Sequence, residues 1–275
     1  MDQIGKETCV PPCCETLFRR NVTSAAHTEL ALEAASASLV LLKNSESILP
    51  LSSKAVKSIA VVGSAAVAKV YDPAEGSKTN PETAWKIGDY YSGGGSGHVT
   101  SGSAVTPWEG IHRRATEAGI RVDNATSDDI DFAIKAASQV DVTIVVAATT
   151  SGEEIDRTDL NLDNGANEII DAVSKVAKRT VVLVQAPGAV LMPWRDSASA
   201  IALMFLAGQE TGNAWASMLF GDHAPSGHLP IMIPATAHDT IEPGILPIVN
   251  YSEGMKTSYR NPDFKAAYPF GHGLT

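Results

Sequence analysis

Val142-Thr-Ile-Val-Val-Ala-Ala-Thr-Thr-Ser-Gly-Glu-Glu-Ile-Asp-Arg-Thr-Asp-Leu-Asn-Leu162 decides how the rest of the chain is read. Its first half is an apolar, β-branched run, the pattern of a parallel strand covered on both faces. The remainder is a polar loop holding Glu153, Glu154, Asp156 and Asp159, with Asp163 just beyond and Arg157 the one positive charge among them. Ligands of open α/β sheets collect at the carboxyl ends of strands, so this loop is the first place to expect chemistry.

Outward from this strand, helical and strand patterns alternate. Leu30, Ala34, Ala37 and Leu41 recur at helical spacing and predict a helix from Ala25 to about Lys43, with Ser24 as its N-cap. Ser58 to Gly63 reads as a buried strand and Pro107 to Ala118 as a helix opened by proline. A short strand at Ile120 to Val122 and a helix from Ser127 to about Ser138, capped by Ser127, lead into the central strand. Helices follow at Ala166 to Ala177 and Asn213 to Phe220, and strands at Thr180 to Gln185 and Ala200 to Leu206. This alternation predicts an α/β fold, a mostly parallel sheet sandwiched by helices. Residues 1–24 read as a tail or linker, and residues 25–275 as the sandwich domain, including an irregular C-terminal tail from about 221.

Between the first two strands lies a long stretch without sustained period that contains Gly93-Gly94-Gly95-Ser96-Gly97. A loop of that length is usually functional. It fits a nucleotide-binding domain poorly, because phosphate loops sit tightly between a strand and a helix and this one lies some thirty residues past its strand.

Composition narrows the function. Over 275 residues, 44% are hydrophobic and 19% charged, enough to build a large core. A formal net charge of −10 and a pI near 5.1 oppose a phosphate backbone, so no nucleic-acid partner is expected. No apolar run is long enough to span a bilayer, so no membrane association is expected. Cys9, Cys13 and Cys14 fall in one short segment, and with His27 they match no familiar zinc pattern. The acidic loop lacks the spacing of an EF-hand, so neither a metal nor another cofactor is expected. No Gly-x-Ser-x-Gly elbow supports Ser-His-Asp catalysis. Residues 1–24 carry no secretory signal pattern, whereas sequons at Asn21, Asn124 and Asn250 permit glycosylation.

The clustered carboxylates admit two readings. A carboxyl partly closed off beside a second carboxylate has a raised pKa and can serve as a proton donor, as glycoside hydrolysis requires. Alternatively, Asp156 and Arg157 form an ion pair or cap while the other acids face water.

Several motifs in order carry a resemblance. They are Leu39-Val40-Leu41-Leu42-Lys43-Asn44 with Leu49-Pro50-Leu51, the glycine run at 93–97, Ser151-Gly152-Glu153-Glu154-Ile155-Asp156-Arg157, and Gly208-Gln209-Glu210-Thr211-Gly212-Asn213-Ala214. Pro225-Ser226-Gly227-His228-Leu229-Pro230, Tyr251-Ser252-Glu253-Gly254, Tyr259-Arg260 and Pro269-Phe270-Gly271-His272-Gly273-Leu274 complete the series. From about residue 25 to 275 the chain resembles the C-terminal α/β sandwich domain of glycoside hydrolase family 3. It departs at Ala207, where the family usually has proline, and at His228, where it usually has arginine.

The resemblance implies a retaining β-glucosidase-like hydrolase acting on a β-glucoside or β-glucan oligosaccharide. Its aspartate nucleophile would lie on a barrel domain supplied in cis or in trans. It further implies Glu153 as the general acid/base, with Glu154 as the fallback. Gly94, Gly95, Ser96 and Glu154 are expected to bind substrate at the domain boundary, and Asp156 and Arg157 to shape the loop. No barrel is read within these residues, so the chain alone is expected to be nearly inactive. Together with the sequons, the resemblance favours an extracellular location. The alternative is a noncatalytic carbohydrate-binding or interaction module derived from such an enzyme.

Overall fold

A computed structural model describes residues 21–240 and 253–275; the three cysteines and Asn250 lie outside them. Helix α1 (Ala25–Ala37) leads into strand β1 (Val40–Asn44). There follow β2 (Ser58–Val62), the short α2 (Pro73–Gly76), α3 (Pro107–Glu117), β3 (Arg121–Ala125), α4 (Ile130–Ala137) and β4 (Val142–Ala148). The chain continues through α5 (Ala166–Val176), β5 (Thr180–Gln185), β6 (Ala200–Met204), α6 (Thr211–Phe220), β7 (Ile233–Pro234) and β8 (Ala266–Tyr268).

The main sheet has six strands in the order β1-β6-β5-β4-β2-β3. All pairs are parallel except the edge pair β1–β6. The period of two along each strand feeds two cores. Val142, Ile144 and Val146 of β4 face one layer with Ile59, Leu183 and Met204, under α1, α3 and α6. Val145 and Ala147 face the other with Val182 and Ile201, under α4, α5 and part of the C-terminal segment. Every residue of β4, β5 and β6 is buried, as expected for central strands of a doubly covered sheet.

Strand β3 runs on to Ala125 and β6 stops at Met204, and two helices also differ from the sequence reading. Helix α1 begins after Ser24, whose hydroxyl accepts the His27 amide as expected, but it stops at Ala37 instead of running to Lys43. Leu39 and Leu41 enter one core while Val40 and Leu42 enter the other, which a strand permits and a helix does not. Leu30, which the helical spacing placed inward, is 59% exposed. Helix α4 starts at Ile130, because the Asp129 carboxylate, not Ser127, accepts the Phe132 amide at 2.8 Å.

The described part of the chain beyond Gly221 is largely irregular, apart from the antiparallel β7–β8 pair. Leu229, Ile233 and Tyr268 are buried beneath it. The Leu274 amide donates to the Leu41 carbonyl at 2.8 Å, so the C-terminus covers the edge strand that would otherwise offer unpaired backbone.

Candidate active site

The chain leaves β2 toward one edge of the sheet and leaves β4 toward the other, so the topological switch point lies between these neighbours. The acidic loop starts at the carboxyl end of β4. Its base is closed by Asp163, which accepts the Thr149 hydroxyl at 2.9 Å and the Tyr90 hydroxyl at 3.1 Å. Burial, reinforced by that carboxylate, pushes the Tyr90 phenol well above its ordinary value. Asp163 is therefore a structural acid. Arg157, half-buried and with its pKa lowered by burial, donates to the Ala189 carbonyl at 2.9 Å. The expected ion pair with Asp156 does not form among the described residues.

The glycine run lies against this loop, although 57 residues separate Ser96 from Glu153. Gly94 and Gly152 form a parallel bridge. The Gly94 amide donates to the Ser151 carbonyl at 2.9 Å, the Glu153 amide to the Gly94 carbonyl at 3.2 Å, and the Gly95 amide to the Trp85 carbonyl at 2.7 Å. A Cβ at Gly94 or Gly152 would collide with the Lys86 carbonyl, so the close approach of the three segments requires both glycines.

A buried acid that sequence reasoning missed holds the glycine segment itself. Asp89 accepts the backbone amides of Tyr71, Tyr91 and Ser92, each at 2.7 Å. Its own carbonyl accepts the Thr150 hydroxyl at 2.7 Å, which ties this turn to the end of β4. An aspartate opening a turn before an aromatic pair was the only sequence signal. Gln185 was also missed; buried at the end of β5, it donates to the Tyr90 carbonyl at 3.1 Å and accepts the Trp215 indole N–H at 3.2 Å.

The structure brings Glu153, Gly94, Gly95 and Ser96 together. The Glu153 side chain is exposed, and its Oε2 accepts both the Ser96 amide at 2.7 Å and the Ser96 hydroxyl at 2.5 Å. These two bonds, with a smaller contribution from nearby Lys86, hold the carboxyl below the ordinary glutamate value. The raised pKa expected from clustered acids is therefore corrected: water and two donors face Glu153, where a second carboxylate and a closed pocket had been anticipated. Glu154 points elsewhere and pairs with Lys86 at 2.6 Å. A cleft of about 310 Å³ runs beside the loop, lined by Lys86, Thr150, Asp156, Arg157, Asp159 and Asn161 among others. Among the described residues no three metal-ligating groups converge, and no helix is long and apolar enough to cross a membrane.

Residues 39–275 match the model of the glycosyl hydrolase family 3 C-terminal domain. The chain belongs to this family. Thermostable beta-glucosidase B of Acetivibrio thermocellus is 34% identical over 269 residues, which cover 91% of this chain and 33% of that protein. An exo-alpha-(1->6)-L-arabinopyranosidase of Bifidobacterium longum is 30% identical over 277 residues, covering 91% of this chain and 34% of its own. Among solved structures, the beta-D-glucoside glucohydrolase of Trichoderma reesei aligns with a TM-score of 0.81 at 30% identity, over 92% of this chain and 38% of that one. This family 3 domain thus spans about a third of the length of its relatives. Its parallel sheet and two helical layers are the family's α/β sandwich.

Proposed function

We propose that this chain is the acid/base-bearing part of a β-glucosidase-like glycoside hydrolase. Glu153 protonates the leaving oxygen and later deprotonates the attacking water. The nucleophilic aspartate comes from a barrel domain, in the same polypeptide or another. The observation that carries this reading is the placement of Glu153: an exposed carboxylate at the carboxyl end of the central sheet, on a loop bridged to the glycine segment and packed against the Lys86 backbone. A catalytic group has to be fixed relative to its scaffold while its reacting atom stays accessible, and a merely solvating glutamate needs no such support.

The substrate class is a terminal β-D-glycoside, a β-glucoside or β-glucan oligosaccharide. The relatives' names support a β-glucoside most directly. That an arabinopyranosidase is nearly as similar supports placing the choice of sugar outside this third of the enzyme.

The test combines the 275-residue chain with the remaining, N-terminal portion of a family member such as beta-glucosidase B. Cleavage of two β-glucosides is followed, one with a nitrophenol leaving group and one with an alkyl alcohol. An alkoxide leaves poorly unless protonated, whereas nitrophenolate leaves unaided. Glu153→Gln should therefore reduce kcat/KM for the alkyl glucoside by about 10²–10⁴-fold and for the nitrophenyl glucoside by much less. Equal losses on both substrates, or none, would assign the acid elsewhere, with Glu154→Gln the next variant to measure.

A further inference from the structure

The notable feature of Glu153 is the asymmetry between its two oxygens. Oε2 accepts two hydrogen bonds from one residue, the Ser96 amide and hydroxyl, while Oε1 has no partner among the described residues. Gly95, immediately before Ser96, has φ +103°, and a Cβ there would collide with the Glu153 Cβ. The backbone that presents Ser96 to the acid is therefore specified by a glycine as well as by the bridge between Gly94 and Gly152.

We propose that Ser96, expected from the sequence to contact substrate, is instead the positioning residue of the acid/base: it occupies Oε2 so that Oε1 alone carries the transferred proton. The inference rests on the assignment of Glu153 made above. A proton on Oε2 would displace one of the two Ser96 donors, whereas a proton on Oε1 leaves both in place. In the first step the barrel's aspartate carboxylate bonds to the anomeric carbon as the C–O bond to the leaving group breaks; the glycosidic oxygen takes that electron pair and receives the proton released from the Oε1–H bond. In the second, Oε1 receives a proton from water as the water oxygen bonds to the anomeric carbon and the enzyme carboxylate leaves. Ser96 neither gains nor loses a proton in either step.

Two measurements separate this proposal from the assignment on which it rests. In the full chain, the Glu153 carboxyl carbon is followed by NMR against pH in the parent, Ser96→Ala and Ser96→Thr, with the amide spectrum as a check that each is folded. Removing a hydrogen bond to the charged form raises the pKa, so the midpoint should rise in Ser96→Ala and stay near the parent in Ser96→Thr, which keeps the hydroxyl. With the N-terminal portion of a family member added, kcat/KM for the alkyl glucoside should fall about tenfold in Ser96→Ala, the order expected for one hydrogen bond to a charged group. Its alkaline limb should move to higher pH, because a general acid works only while protonated. An unchanged midpoint in Ser96→Ala overturns the positioning role whatever the activity. A raised midpoint with an unmoved alkaline limb means that Ser96 holds Glu153 but Glu153 is not the donor, and that overturns both readings.

Discussion

At the scale of the residue, the five positions of the glycine run are not equivalent. Gly94 and Gly95 are each required by what lies against them, a carbonyl in one case and the Glu153 side chain in the other. Gly97 has open space where a Cβ would go and an ordinary backbone angle. Gly95→Ala should therefore strain the loop by about 1–3 kcal/mol and displace Ser96 from Glu153. Gly97→Ala should be nearly silent. Urea unfolding of the two variants checks the first effect, and the Glu153 titration checks the second; equal behaviour of the two would show that the run serves flexibility alone. The sequence revealed a glycine-rich loop and an acidic loop but not their contact, since nothing local links residues 57 apart. Only the resemblance pointed to Glu153, because Glu154, Asp156, Asp159 and Asp163 present the same carboxyl chemistry. Asp163 turned out to be occupied by Thr149 and Tyr90 and Glu154 by Lys86, distinctions that composition does not encode.

At the scale of the element, the central strands were legible because being buried on both faces leaves a continuous apolar run. The end of α1 was not. Its helical spacing continued into residues that pair with β6, some 160 positions later, and that long-range pairing decided against local periodicity. The entrance of β2 and β4 is held by a comparable long-range contact. The Asp141 carboxylate accepts the Lys57 amide at 2.9 Å, the Ser58 amide at 3.2 Å and the Lys178 ammonium at 3.1 Å. Chiefly through the Lys57 amide, these lower its pKa from 3.8 to about 2. A depressed folded-state pKa gives stability that is complete above the ordinary value and is lost as pH falls from there through the folded one. Thermal unfolding between pH 4 and pH 2 should accordingly show a steeper loss of Tm in the parent chain than in Asp141→Asn, which cannot titrate. Parallel curves for the two would remove Asp141 from the acid response.

At the scale of the whole molecule, this family 3 domain covers about a third of its relatives' length, and on the proposed reading the loop that carries Glu153 faces the rest of such an enzyme. Trp85, Ile87 and Ile155, between 38% and 41% exposed, lie in the segments that frame Glu153. In the chain by itself Glu153 is surrounded by water and held by Ser96, so at neutral pH it is a carboxylate. That is the form that takes a proton from water, not the form that gives one to a leaving sugar. Covering the loop with a barrel and a substrate removes water from the charged group. Desolvation favours the neutral acid, so on the proposed assignment the pKa of Glu153 should rise on docking. The Glu153 titration should then show a midpoint below the ordinary glutamate range for the chain alone, and a higher one once the N-terminal portion of a family member and an inert sugar analogue are bound. The chain alone should leave an alkyl β-glucoside uncleaved throughout the pH range in which the complex acts. If the complex cleaves that substrate while the midpoint stays low, the proton comes from another group, and the expectation that docking turns a base into an acid is wrong.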